Sequence, residues 1–152
     1  MGARLHLVKL CVGVDRLETF QGWVKERNAI RSAAGERPEA RHRTRMHPRR
    51  AKELLQGGSL FWVINGVICC RQLILALEQS VDDDGCKRTD IVTEPVLVPT
   101  EAWPRRPFQG WRYLPASEAP PDMPANWAAN WEGVSGDAPP ALLAEIRKLG
   151  VA

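Results

Sequence analysis

The chain has 152 residues, 44% of them hydrophobic and 26% charged, with a formal net charge of +3. That balance excludes a disordered chain and fits one α+β domain spanning 1–152, large enough to bury a core without disulfides or metal. No apolar run approaches the ~20 residues of a membrane span, and the four cysteines contain no C-x-x-C pair of the zinc or redox kind.

The N-terminus is apolar, but His6, Lys9 and Asp15 interrupt it, and no small-residue cleavage site follows. His6 also occupies the position where myristoylation after Gly2 wants Ser or Thr. The expectation is a cytoplasmic protein without membrane contact. Leu5 to Val14 alternates imperfectly and predicts a strand. Asp15 followed by Glu18 has capping-box spacing and opens a helix of four to five turns. Leu17, Phe20, Val24 and Arg27 share its flank, with Trp23 and Ile30 nearby. Gly35 and Pro38 stop it.

ARHRTRM (40–46) reads as a short extended segment, with Arg41, Arg43 and Arg45 on one face and His42 and Thr44 on the other. Pro48 then suits the first position of a helix reaching about Gln56, with Ala51, Leu54 and Leu55 inward and Gly57 at the cap.

SLFWVI-NG-VICCRQ predicts a β-hairpin, because Asn65-Gly66 supplies the two positive-φ residues of a tight turn. A regular ladder pairs Ile64 with Val67, Trp62 with Cys69 and Leu60 with Arg71. On the other face it pairs Val63 with Ile68, Phe61 with Cys70 and Ser59 with Gln72. Both faces are apolar near the turn, so the hairpin is expected to be covered on both sides. In such a strand Cys69 and Cys70 point opposite ways, and buried, reduced thiols are the plain reading.

Asp82 to Gly85 turns the chain, and CKRTDIVTEPVLVPT (86–100) predicts strand broken at Pro95. Residues 115–138 form a Pro/Trp-rich wrapping segment, preceded by a short strand in FQGWRYL (108–114). PPALLAEIRKLG (139–150) reads as a third helix. The architecture expected is a curved, mostly antiparallel sheet of five or six strands, or a small mixed barrel, flanked by about three helices.

Charge is uneven. Lys25 to Lys52 holds ten basic and three acidic residues, and Glu78 to Glu101 holds two basic and seven acidic. A segregated pattern of this kind can steer anions to one side of a molecule. Arg49 and Arg50 directly after Pro48 add cations where a helix start already carries partial positive charge. With Arg45 and His47 beside them, they form a candidate anion site; a merely solvated face is the plainer alternative. RRPFQGWRYL (105–114) interleaves arginines with rings, a pattern suited to unpaired bases. Arg106, Gln109, Trp111 and Arg112 are its candidates, with Gly110 marking a tight bend, and core anchoring of the rings is the alternative. Arg71 and Gln72 are candidate floor residues.

No nucleophile elbow, Walker loop, paired His-Glu helix or dinucleotide fingerprint is present. The reading is therefore a binding protein rather than an enzyme, with no cofactor and no metal. His42 and His47 are the only acid-base candidates. A pocket joining either to a carboxylate would favour a small nucleotide- or RNA-processing enzyme. An exposed apolar patch around Trp127 and Trp131 would favour a protein-interaction module.

LHLVKLCVGV, TRMHPRRAKELLQGGSLFWVINGVICCRQ and VPTEAWPRRPFQGWRYLPASEAPPDM resemble the blocks of a family of conserved hypothetical proteins, mostly alphaproteobacterial, classed as a domain of unknown function. That resemblance implies a bacterial stand-alone domain and brings no activity. The order of elements is also similar to PUA-like domains, small mixed barrels that often bind RNA, which is an analogy of arrangement alone. The functional expectation is binding of RNA, another nucleic acid or a phosphate-bearing small molecule.

Overall fold

A computed structural model describes residues 4–124 of the chain. Seven strands form one open mixed sheet: β1 (Leu5–Leu10), β2 (Ala40–Thr44), β3 (Ser59–Ile64), β4 (Val67–Val81), β5 (Lys87–Thr93), β6 (Val98–Pro104) and β7 (Trp111–Pro115). Two helices, α1 (Leu17–Ala33) and α2 (Ala51–Leu54), lie between β1 and β3. The strand order is β2-β5-β4-β3-β1-β7, with β6 also paired to β4. Every described pairing is antiparallel except β1 with β3. That parallel pair needs a long crossover, which α1, β2 and α2 supply. The predicted third helix, the end of the wrapping segment, and Trp127 and Trp131 lie outside the described residues.

The Asn-Gly hairpin forms as its turn chemistry requires, with φ of 52° at Asn65 and 82° at Gly66. Ile64 pairs with Val67 and Val63 with Ile68, as the regular ladder predicts. A bulge then inserts Cys69, so Trp62 meets Cys70, Phe61 meets Arg71 and Leu60 meets Gln72. One extra residue exchanges the faces of everything beyond it. Cys69 and Cys70 consequently join the same core cluster instead of pointing apart. Arg71 and Gln72 each move to the face predicted for the other.

All six residues of β3 are buried, so the hairpin is covered on both faces. The larger core lies under the helices, where Leu17, Phe20 and Val24 of α1 and Leu54 of α2 meet Leu7, Leu60, Trp62 and Ile64. The smaller core, around Val8, Phe61, Val63, Ile68 and Leu114, is capped by Phe108 and Ala119. The 15-residue β4 is the spine, with β3 along one edge and β5 and β6 in succession along the other. The break between β5 and β6 spans Pro95, which has no amide hydrogen for a ladder.

Helix α1 begins one residue later than a capping box on Asp15 would place it. Arg16 occupies the cap position without a side-chain cap bond, and the Arg16 guanidinium stands 3.7 Å from the Glu18 carboxylate. The helix ends at Gly35 (φ 76°), where Gly35 N–H reaches the Ser32 carbonyl and Glu36 N–H reaches that of Arg31. This Schellman closure satisfies carbonyls the last turn would leave open. Beyond β7, residues 116–123 run back along β6, with Thr100 bridged to Asp122 and Met123 N–H donating to the Pro99 carbonyl.

Candidate functional site

Pairing of β2 with β5 ends at Thr44, and the chain then crosses Arg45 to Arg50 as a loop. Two bonds fasten this loop to β7. Trp111 Nε1–H donates to the Met46 carbonyl at 2.9 Å, and Arg50 N–H donates to the Tyr113 hydroxyl at 3.1 Å. Strand alternation puts Trp111 and Tyr113 on one face of β7, where their rings meet edge-on at 5.0 Å and pack against the larger core. Two stretches more than 60 residues apart thereby become one surface. His47 Nδ1 hydrogen-bonds Thr89 Oγ1 at 3.2 Å, and buried Pro48 anchors the middle of the loop.

The helix expected from Pro48 is reduced to the single turn of α2, with Arg50 at its cap position. So short a helix has little macrodipole, and the Arg50 amide that would face an anion is already bonded to Tyr113. The Arg50 guanidinium is engaged as well. It holds Glu53 through two bonds of 3.0 and 2.6 Å and lies 5.7 Å over the Tyr113 ring. That pairing lowers the Glu53 carboxyl pKa and raises that of Arg50. Glu53 was legible in advance, since residues three apart on a helix are neighbours. Arg45 and Arg49 differ. Both are exposed and have neither an ion pair nor a hydrogen bond among the described residues.

The remaining candidates divide between the faces of the sheet. Arg112 points away from Trp111, donates to the carbonyls of Gln109 and Trp111 at 2.7 and 3.0 Å, and lies 5.3 Å over Phe108. Arg105 covers the same ring at 5.6 Å. Clasped by two arginines and seated on the smaller core, Phe108 serves as an anchor rather than a stacking platform. Arg106 is exposed in the connection between β6 and β7. Arg71 grips Asp122 through two bonds of 2.7 Å and donates to Ser59 Oγ at 2.9 Å, so it ties the segment after β7 to the sheet.

Gln72 lies on the opposite face, fully buried. Its Oε1 accepts from Trp62 Nε1–H at 3.1 Å and lies 2.9 Å from His42 Nε2. Indole nitrogen only donates, so that oxygen is an acceptor and the His42 proton resides on Nε2. Thr93 Oγ1, 3.3 Å away, shares it. Burial, then the Lys9 and Arg27 charges, push the His42 pKa down to about 4 against the opposing pull of Gln72, so the ring is neutral at pH 7. His42 and His47 thus serve separate contacts.

A family profile described as Protein of unknown function (DUF1489) matches residues 7–152. This chain is a DUF1489 protein. No curated protein and no solved structure matches it. Among the described residues of this DUF1489 protein, no group of three His, Cys, Asp or Glu is placed to hold a metal. No described helix is long and apolar enough to cross a membrane.

Proposed function

We propose that this DUF1489 protein binds the phosphate groups of nucleic acid, RNA foremost, through the loop of Arg45 to Arg50 clamped against β7. The supporting observation is the double clamp at Trp111 and Tyr113, which mounts the loop carrying Arg45 and Arg49 on β7, while neither guanidinium has a carboxylate among the described residues. Preorganised donors bind a phosphate oxygen with less ordering cost than mobile ones. The rings take part as mounts, so the contact reads backbone charge and not base identity.

The test is fluorescence anisotropy with a labelled 12-nucleotide oligouridylate. Affinity is expected to fall on the order of tenfold between 50 and 200 mM salt, as two or three phosphate contacts release counterions. The double variant Arg45→Glu/Arg49→Glu should lose binding with its melting temperature unchanged, because neither side chain supports the fold. Binding that ignores salt, or survives both substitutions, refutes the assignment.

A second reading, a small-molecule enzyme, has one observation in its favour: His42 and Glu39 line a common cavity. Glu39 is held there by Arg41 Nε at 2.6 Å and by Arg31 at 3.6 Å. Its charge is spent on the fold, and what the cavity retains is a capacity to bind.

A further inference from the structure

Between α1 and β2 lies a cavity of about 280 Å³ lined by Val24, Arg27, Asn28, Ile30, Glu39 and His42. Much of its wall is apolar: Val24, Ile30, Ala40 and the aliphatic stems of the arginines. Three polar features are left over once the fold's own bonds are drawn. Asn28 Oδ1 is buried and accepts no hydrogen bond. His42 makes both of its bonds through Nε2, so its Nδ1 lone pair is unused. Arg27 has no carboxylate and no hydrogen-bond partner among the described residues.

The neighbouring cations contrast with Arg27. Arg31 is paired with Glu36 and Glu39, and Arg41 with Glu39, Glu78 and Asp90. Lys9, on β1, likewise has no partner among the described residues, and its charge and that of Arg27 both reach His42. Among the described residues, the cavity therefore keeps an unpaired cation beside one buried acceptor, Asn28 Oδ1, and the unbonded Nδ1 of His42. A buried acceptor without a partner costs about 1–3 kcal/mol, so a donor supplied from outside would be rewarded.

We propose that this cavity binds a small organic carboxylate with an apolar body and a hydroxyl or N–H group. The carboxylate pairs with Arg27, the one proton of the donor group is shared between Asn28 Oδ1 and His42 Nδ1 in a three-centre bond, and the body lies against Val24, Ile30 and Ala40. A single free guanidinium suits a carboxylate, whereas a phosphate dianion calls for more donors than the walls provide. The volume is near the lower end for ligand pockets, which restricts the body to about one ring or a short branched chain. Arg27 and Ile30 also border an outer hollow with Trp23 and Glu26, a route by which a ligand reaches the cavity. The site is separate from the loop of Arg45 to Arg50, so either assignment can fail alone.

Calorimetric titration of the full chain with three probes tests it: 4-hydroxyphenylacetate, phenylacetate and 2-(4-hydroxyphenyl)ethanol. The first should bind saturably, and removing either its hydroxyl or its carboxylate should weaken binding about tenfold, the value of one good charge-assisted or buried hydrogen bond. Arg27→Met keeps the stem that lines the cavity. It should abolish the preference for the carboxylate while leaving the melting temperature unchanged. Asn28→Leu should abolish the preference for the hydroxyl. In nitrogen-15 spectra the His42 Nδ1 resonance should move on adding 4-hydroxyphenylacetate and stay fixed with phenylacetate. Absence of saturable binding at millimolar 4-hydroxyphenylacetate, or undiminished binding by Arg27→Met, overturns the proposal.

Discussion

Arginines recur at every second residue from Arg41 to Arg45, on one face of an extended segment, yet the chain uses them in two ways. Along β2, Arg41 reaches Glu39, Glu78 and Asp90 at 2.6, 2.8 and 3.3 Å, and Arg43 reaches Asp90 at 3.2 Å. One residue past the last rung at Thr44, Arg45 has no partner among the described residues. The difference comes from what lies alongside: β5 and β4 bring carboxylates to Arg41 and Arg43, whereas β7, to which the loop is fastened, brings Trp111 and Tyr113. The basic and acidic stretches that look like opposite poles in the sequence meet where β2 lies beside β5, with Arg41 and Arg43 paired to Glu78 and Asp90. Among the described residues, Arg45 and Arg49 in the loop, like Lys9 and Arg27 elsewhere, have no carboxylate partner.

The largest effect comes from breaking the loop side of that comparison. Gly58 follows α2, and a Cβ there would strike the Leu54 carbonyl oxygen and come within 2.7 Å of that of Leu5. Both obstacles are backbone, so neither can swing aside. Gly58→Ala should cost about 3 kcal/mol, the upper range for overpacking. It pushes α2 off β1 and shifts the clamped loop, while the β2 ion pairs keep their strands. Urea unfolding measures the loss, and a midpoint within error of the parent would show that the loop is not held by this contact.

The β2 side is broken by acid. His42 stays neutral in the folded chain down to about pH 4, whereas the unfolded chain takes up the proton near its ordinary value of 6.5. Above pH 6.5 the ring contributes no pH dependence. As pH falls from 6.5 toward 4, the unfolded state gains the proton first and stability drops. Partial exposure of the residue reduces the full shift to a loss of about 2 kcal/mol. His6 acts in the same direction, lowered by burial and by Arg71. Urea midpoints at pH 7.5, 6 and 4.5 should therefore fall more steeply for the parent than for His42→Asn. Parallel profiles would mean that the ring is solvated.

How far this contrast was legible depends on the range of each signal. The hairpin turn, the Leu17, Phe20 and Val24 part of the α1 flank, the break at Pro95 and the short strand before Pro115 follow from local chemistry and are present, whereas Trp23 and Ile30 stay exposed. Asn65-Gly66 needs no distant residue to form its turn. The Cys69 bulge does need one, because a strand shows its extra residue only against a partner, and with it went the facing of Arg71 and Gln72. The same applies to charge. The spacing of Arg50 and Glu53 along one helical turn is a local pattern, but the Asp90 that holds Arg43 is 47 residues away. The cavity at His42 was out of reach as well, since its lining lies within residues 24–42 but which side chains meet there depends on how α1 packs against β2.

The smallest expected effect sharpens the comparison most, since it turns one class of arginine into the other. Asp90→Asn keeps the side chain's shape and its acceptor oxygen while removing the charge that holds Arg43 and part of what holds Arg41. Arg41 retains Glu39 and Glu78, and Arg43 is largely exposed, with 60% of its side chain accessible. Stability should thus fall by only about 0.5–1 kcal/mol, the range for exposed pairs. The freed Arg43 precedes Arg45 by two residues at the end of β2, and the protein gains one unit of net positive charge there. Affinity for the labelled oligouridylate should rise a few-fold at 50 mM salt, and the gain should shrink at 200 mM, because an added phosphate contact steepens the dependence on salt. Unchanged affinity would place the nucleic acid away from this edge, and weaker affinity would show that the ion pair positions Arg45 rather than withholding Arg43.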